Sequence, residues 1–398
     1  MIATTLQEAS QHLDTARRLT CALDAYSTLL KDDVSLDSPL GRSICVSIES
    51  IDPSIDLKEG SYITLRMIKE GIIRTAKATR ELLRVLFEIV GNLYVKFTGS
   101  TGRVRGHQKA VSKRLGRLGN RVSYKQMEIS GINRLSVNGT FVGDDPQVLV
   151  GIYAISEHLL KQHPAMVVRV ARVCARRFID LVEQHPTASQ NEVAKLGMQI
   201  FMETMASAAQ PAFGEQEVKA GELGNSFTGG RYLRSATMPG NWALVYSNTK
   251  ETLNAGAISK ADMYANVIKQ AFRIEFVELT LNTADRAART VDVPPIRTLA
   301  KLVDGISKIL DVAEKAELGR RDFGSVKTVV DDAIRQVMDV RTEGGNGTAN
   351  STVIQMLGSI SEVLAAPMDS FTHWIAVTLN IYLNYIDHCI KHYEMEGV

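Results

Sequence analysis

The sequence predicts an α+β protein, predominantly helical, with a small antiparallel sheet. Three observations carry that expectation. Apolar residues recur every three or four positions through most of the chain. An Asn-Gly pair at 138–139 lies between two short β-favouring runs. Glycine, proline and aspartate gather at a few places that interrupt the helical spacing. The 398 residues allow two or three units, and 45% apolar with 23% charged residues exclude a disordered or collagen-like chain.

Residues 3–30 form the first expected helix, with Leu6, Ala9, Leu13, Ala16, Leu19, Leu23, Tyr26 and Leu30 along one side. Residues 32–41 are rich in breakers and read as a linker. A short apolar piece, 43–51, ends at Asp52-Pro53, because the residue before a proline is pushed out of the helical region. Residues 56–61 again read as linker, so the N-terminal module is expected to be loosely tied to the rest of the chain. A stripe then runs through Leu65, Ile68, Ile72, Ala76, Leu83, Leu86, Val90 and Phe97, a long amphipathic helix of about nine turns. Such a stripe serves either as core or as a face laid on a membrane surface. Gly99, Gly102 and Gly106 are expected to loosen the backbone before a second basic stretch, 109–121.

Asn138-Gly139, between Leu135–Val137 and Thr140–Val142, predicts a hairpin closed by a type I′ turn. Asp145-Pro146 starts a helix, Pro164 starts another reaching about residue 183, and Ser189-x-x-Glu192 caps a third. Residues 210–240 read as a glycine-rich loop. Residues 242–247 and 273–279 are strand candidates able to join the hairpin in one sheet, although helical spacing also fits 273–279. Pro294-Pro295 opens a helix expected to end at Gly319. Another carries Val326, Val330, Ile334 and Val337, residues 344–351 read as a mobile polar loop, and 353–393 is helical with a break at Pro367.

Charge is unevenly distributed. Residues 1–57 carry a net −5, residues 58–125 a net +12, and the remainder −5. Between Gly91 and Lys125 there are nine Lys/Arg and no acid. That density suits a polyanion such as nucleic acid, and equally a helix face balanced by acids elsewhere in the fold. The candidate nucleic-acid-binding residues are Arg103, Arg105, Lys109, Lys113, Arg114, Arg117, Arg121 and Lys125. Arg169, Arg172, Arg176 and Arg177 form a second basic ridge with the same two readings.

No catalytic signature is present. Gly99–Gly106 lacks the Gly-Lys-Ser/Thr of a phosphate loop, and there is no HExxH or Gly-x-Ser-x-Gly. His388 and His392 share a helix side beside Cys389 but lack further ligands nearby in sequence, so no metal or other cofactor is expected. Four scattered cysteines fit free thiols in a reducing compartment, and the first 30 residues lack a secretory pattern.

An acidic helix, then Ser47-Ile48-Glu49, then the basic helix, then a divergent body with Met238-Pro239-Gly240-Asn241 before a strand and Val293-Pro294-Pro295 before a helix: this arrangement resembles the internal head (inner-body) proteins of giant phiKZ-like tailed bacteriophages. The resemblance implies an acidic helical propeptide, residues 1–49, removed by a prohead protease after Glu49. A basic amphipathic segment, 50–125, and an α+β body, 126–398, would come after it. Loss of 1–49 removes −3 and leaves +5. Ala220-Gly221-Glu222 also fits the small-x-Glu pattern, and Leu57-Lys58-Glu59 fits a different phage protease preference. The implied role is a non-enzymatic virion structural protein, made in the host cytoplasm, packaged inside the capsid with the genome and ejected with it. Its implied partners are packaged DNA, the protease and other head or capsid proteins. The alternative is a nucleic-acid-binding phage protein without sequence preference, acting in the infected cell; a membrane surface is the weakest partner reading.

Overall fold

The computed structural model describes residues 5–30, 33–51, 62–119, 121, 126–129, 132–206, 216–219, 221–223, 232–247, 268–269, 273–281, 289–340 and 348–395. Helix α1 (Leu6–Leu29) opens with a capping box: Glu8 N–H donates to Thr5 Oγ1 at 3.1 Å, and Thr5 N–H donates to the Glu8 carboxylate at 3.2 Å. Strand β1 (Val34–Ser35), helix α2 (Pro39–Ile51) and strand β2 (Tyr62–Ile63) lead into α3 (Leu65–Gly116). The expected loose tether of the N-terminal module is overturned. Ala9, Leu13 and Ala16 enter the main core against α3, while Leu19 and Leu23 join Ile44 and Ile48 of α2 with Ile63, Ile68 and Ile72 in a satellite core.

At 52 residues, α3 is about 78 Å long and is the spine on which the other long helices pack. It does not loosen at the three glycines. Tyr94, Phe97, Thr101, Val104, Gln108, Val111 and Leu115 continue the buried stripe through them in steps of three and four. Three helical glycines cost about 1 kcal/mol each. Burying Phe97, Val104, Val111 and Leu115 returns about 1.5–3 kcal/mol per side chain, so packing overrides local propensity. Because the apolar face is spent on this core, it is not available to a membrane surface.

The body supplies α4 (Pro146–Glu157), one π-helical stretch (His158–Gln162), α5 (His163–Gln184) and α6 (Gln190–Ala206). Asp145 caps α4 through Gln147 N–H, with Pro146 in its first turn. Beyond the sheet come α7 (Ile296–Glu314), α8 (Glu317–Asp339), α9 (Thr348–Ala365) and α10 (Pro367–Met395). Gly319 therefore lies inside α8 instead of ending α7, which stops at Glu314. The expected polar loop at 344–351 is helical from Thr348, and residues 341–347 lie outside the described set. Contacts of Tyr94 with Met368, His107 with Asn380 and Arg114 with Asp387 keep one register, so α10 runs parallel to α3. Arg80–Asp331 and Glu88–Lys327 show α8 running antiparallel to it.

The larger sheet has the order β6 (Gln216–Glu217), β7 (Tyr232–Arg234), β8 (Trp242–Ser247), β9 (Ile274–Glu278), all antiparallel. Residues 274–278 are thus strand, and the expected loop 210–240 contains two short strands among its described residues. Alternation explains the strand: Leu244, Tyr246 and Phe276 face the main core, while Ala243 and Val245 face a small cluster on the other side. The Asn-Gly hairpin forms as expected, β4 (Ser136–Val137) against β5 (Thr140–Phe141), with Asn138 and Gly139 at φ 48° and 77°. It does not join the four-stranded sheet, and β3 (Gln126–Ile129) pairs instead with β10 (Arg289–Asp292). The hairpin is tied to the turn before β8: Asn138 N–H donates to Asn241 Oδ1 at 2.7 Å, and Gly240 N–H to the Ser136 carbonyl at 2.9 Å.

Candidate nucleic-acid interface

The acid-free end of α3 divides by helix face. Arg105 points inward to α7, where Nε donates to Glu314 at 2.7 Å and the guanidinium also binds Asp311 and the Ser307 hydroxyl. Arg114 reaches α10, holding Asp387 and, at 2.6 Å, Glu394. These carboxylates raise the pKa of both guanidiniums; for Arg105 burial works against them, and for Arg114 the Glu394 hydrogen bond leads. Arg103, Lys109, Lys113 and Arg117 are exposed on the outer face, as is Lys96, about two turns before Arg103. Arg121, just past the helix, is exposed and donates to the Tyr393 carbonyl at 3.2 Å, and Lys125 lies outside the described residues.

The reading of a helix face balanced by acids elsewhere in the fold therefore holds for Arg105 and Arg114, which flank the buried stripe, while Arg103, Lys109, Lys113 and Arg117 make up the exposed face. The outer face is flat as well as cationic. Gly99, Gly102 and Gly106 lie on it, and a Cβ at any of them would meet nothing within 4 Å. Earlier on α3 the same division appears: Arg80 makes a two-pronged pair with Asp331 at 2.6 and 2.7 Å, whereas Arg66 and Glu70 pair in solvent. The second ridge, on α5, is partly engaged: Arg172 donates to Ser325 and Arg177 to Glu203, while Arg176 is exposed. Charge counting along the sequence finds the segment but cannot tell inward from outward cations, because the acids that pin Arg105 and Arg114 lie more than 200 residues away.

The triplet Ser47-Ile48-Glu49 lies in the last turns of α2, not in a linker. Ile48 is fully buried in the satellite core, Ser47 and Glu49 are half-buried, and the Ser50 hydroxyl donates to the Ser47 carbonyl at 2.8 Å. Of the two other matches, the one at Glu222 falls on a buried ion pair in which Glu222 accepts from Arg234, and 57–59 lie outside the described residues. Helix α1 is further held by a buried ionic knot. Arg17 donates to Asp14 at 2.7 Å and to Glu362 of α9 at 3.4 Å, and Lys269 bridges Asp14 and Glu362. Burial pushes the Glu362 pKa up, against the pull of Lys269 and Arg17.

His388 and His392 face each other at 5.3 Å between ring centres, and no group of three His, Cys, Asp or Glu among the described residues is arranged to hold a metal ion. No helix among the described residues is long and apolar enough to cross a membrane.

A family profile for phiKZ-like phage internal head proteins matches residues 2–388. The chain belongs to that family. No curated protein and no solved structure matches it. As an internal head protein it is a bacteriophage virion structural protein, and the family name places its members inside the capsid. The matched range takes in α1, the whole of α3 and most of α10, the elements that share the main core.

Proposed function

We propose that this internal head protein is packaged with the genome and meets DNA through the outer face of α3. The observation that carries the reading is the split of the basic segment. Arg105 and Arg114 are neutralised within the fold, yet Arg103, Lys109, Lys113 and Arg117 stand exposed on a stretch with no acid. Such contacts go to phosphates, without sequence preference and with strong salt dependence. The protein acts by binding, not by catalysis, and is made in the host cytoplasm before assembly beside other head or capsid proteins. Ejection with the DNA follows from residence beside it.

Processing after Glu49 by the prohead protease belongs to this reading. A protease needs extended backbone, so the cut acts on the end of α2 when it frays or before it folds. Departure of α1 would uncover Leu13 and Ala16 and leave Glu362 without Arg17. The cut segment therefore stays docked.

Two measurements test the proposal. Titration of the full chain with duplex DNA at 50 and 200 mM salt should show affinity falling roughly a hundredfold for about four phosphate contacts. Binding indifferent to salt, or absent at 50 mM, overturns the DNA contact. Mass spectrometry of purified particles should find an N-terminus at Ser50 together with peptides from residues 5–49. Intact chains spanning Glu49–Ser50 in bulk overturn the processing.

A further inference from the structure

Both tryptophans of the chain, Trp242 and Trp374, line one cavity of about 1100 Å³. It lies between α10, the segment from β3 to the hairpin, and the turn that enters β8. Along α10 it extends from His373 to His388, 15 residues or about 22 Å of helix. Trp374 is fixed by donating Nε1–H to the Pro239 carbonyl at 3.1 Å, whereas Trp242 is half-buried with one face stacked on Phe276 at 5.2 Å. The walls between are aliphatic, Val377 and Ile381 among them.

The polar groups that converge here are rich in acceptors. Glu128, from β3, and Glu278, from β9, are exposed on the lining, and among the described residues neither has an ion-pair partner. Asn133 Oδ1 is buried and unpartnered, whereas the hydroxyl of Tyr385, a residue only 4% exposed, lies against the Cys389 thiol. Arg134 is the one arginine or lysine among the described lining residues, against two carboxylates. None of these groups takes part in the α3 interface.

We propose that the cavity binds an alkylammonium group, either of a free polyamine or of a lysine side chain on a protein partner. An ammonium supplies donors only, which is what unpartnered acceptors lack. Its charge is favoured by the indole faces and the two carboxylates, and its methylenes suit the aliphatic wall. A neutral sugar or a nucleobase would leave both carboxylates without counter-charge, and an anion would be repelled by them.

Because the cavity holds both tryptophans, intrinsic fluorescence reads it directly. Spermidine and a short lysine-containing peptide are titrated separately into the full-length protein, against sodium and magnesium chloride at equal ionic strength. The expected result is a saturable emission change with at least one amine probe and not with the salts, weakened about tenfold in Glu128→Gln/Glu278→Gln. Spermidine alone responding assigns a free polyamine, and the peptide alone assigns a protein lysine. No saturable change with either amine, an equal change with magnesium, or an undiminished response in a folded variant overturns the proposal. Should the double variant not fold, the two single substitutions carry the same criterion. DNA binding by α3 is untouched by any of these outcomes.

Discussion

Arg105 and Arg114, at the two edges of the buried stripe of α3, and Arg103, Lys109, Lys113 and Arg117, on its outer side, come from the same run of sequence and share the same chemistry. The first pair is committed to acids of α7 and α10, the second set to solvent. What separates them is less than half a turn around a helix, and acids brought in from the far end of the chain. A cationic run is thus two devices in one element: a clamp that fixes the bundle and a surface left over for a partner. The same contrast recurs on α1, where Arg17 is 7% exposed in an ionic knot and Arg18, its neighbour, is exposed.

That neighbouring pair offers the largest effect. Arg17→Ala leaves Glu362 buried with Lys269 as its remaining cation and should cost about 3 kcal/mol in urea unfolding. Arg18→Ala should stay within about 0.5 kcal/mol. Equal costs would mean that α1 is held by its apolar side alone and that the knot contributes nothing.

The Arg80–Asp331 clamp sharpens the contrast through pH. The hydrogen bond from Arg80 holds the Asp331 carboxyl below its usual range, despite some opposing desolvation. A carboxyl depressed on folding stabilises above its unfolded pKa and loses that contribution as pH falls through the folded value. Asp331→Asn should therefore cost about 1.5 kcal/mol at pH 7, and the gap from the unmodified protein should narrow steadily below about pH 4. A gap independent of pH would assign the loss to packing.

How much of this is legible in the sequence depends on how far each contact reaches along the chain. The stripe from Leu65 to Phe97, the Asp145-Pro146 helix start and the Asn138-Gly139 turn are local patterns, and each forms where its spacing or turn chemistry requires. Gly99–Gly106 misleads because propensity is local, while the burial of Val104 and Val111 that keeps the helix whole is not. The N-terminal helix is plain from its spacing, but the ionic part of its docking joins Arg17 to Glu362, 345 residues on. Residues 216–217 and 232–234 pass for loop because two- and three-residue strands have too few positions to show alternation. The cavity leaves no such pattern: Trp242 and Trp374 are 132 positions apart and meet only through the fold. Met238–Asn241 is the one nearby signal, since it is the turn that carries Pro239 and Asn241 to the cavity wall.

The smallest effect is also the most discriminating, because it separates two adjacent residues by two readouts. Arg114→Ala removes the link to Asp387 and Glu394, side chains partly screened by solvent, and should cost about 1 kcal/mol of stability while leaving DNA affinity unchanged. Lys113→Ala should leave stability within about 0.5 kcal/mol and lower the slope of log affinity against log salt by about 1, one phosphate contact fewer. Urea unfolding and salt-dependent DNA titration on both variants check this crossed pattern. If both substitutions moved both readouts together, inward and outward cations would act as one field, and the division of α3 into clamp and interface would fail.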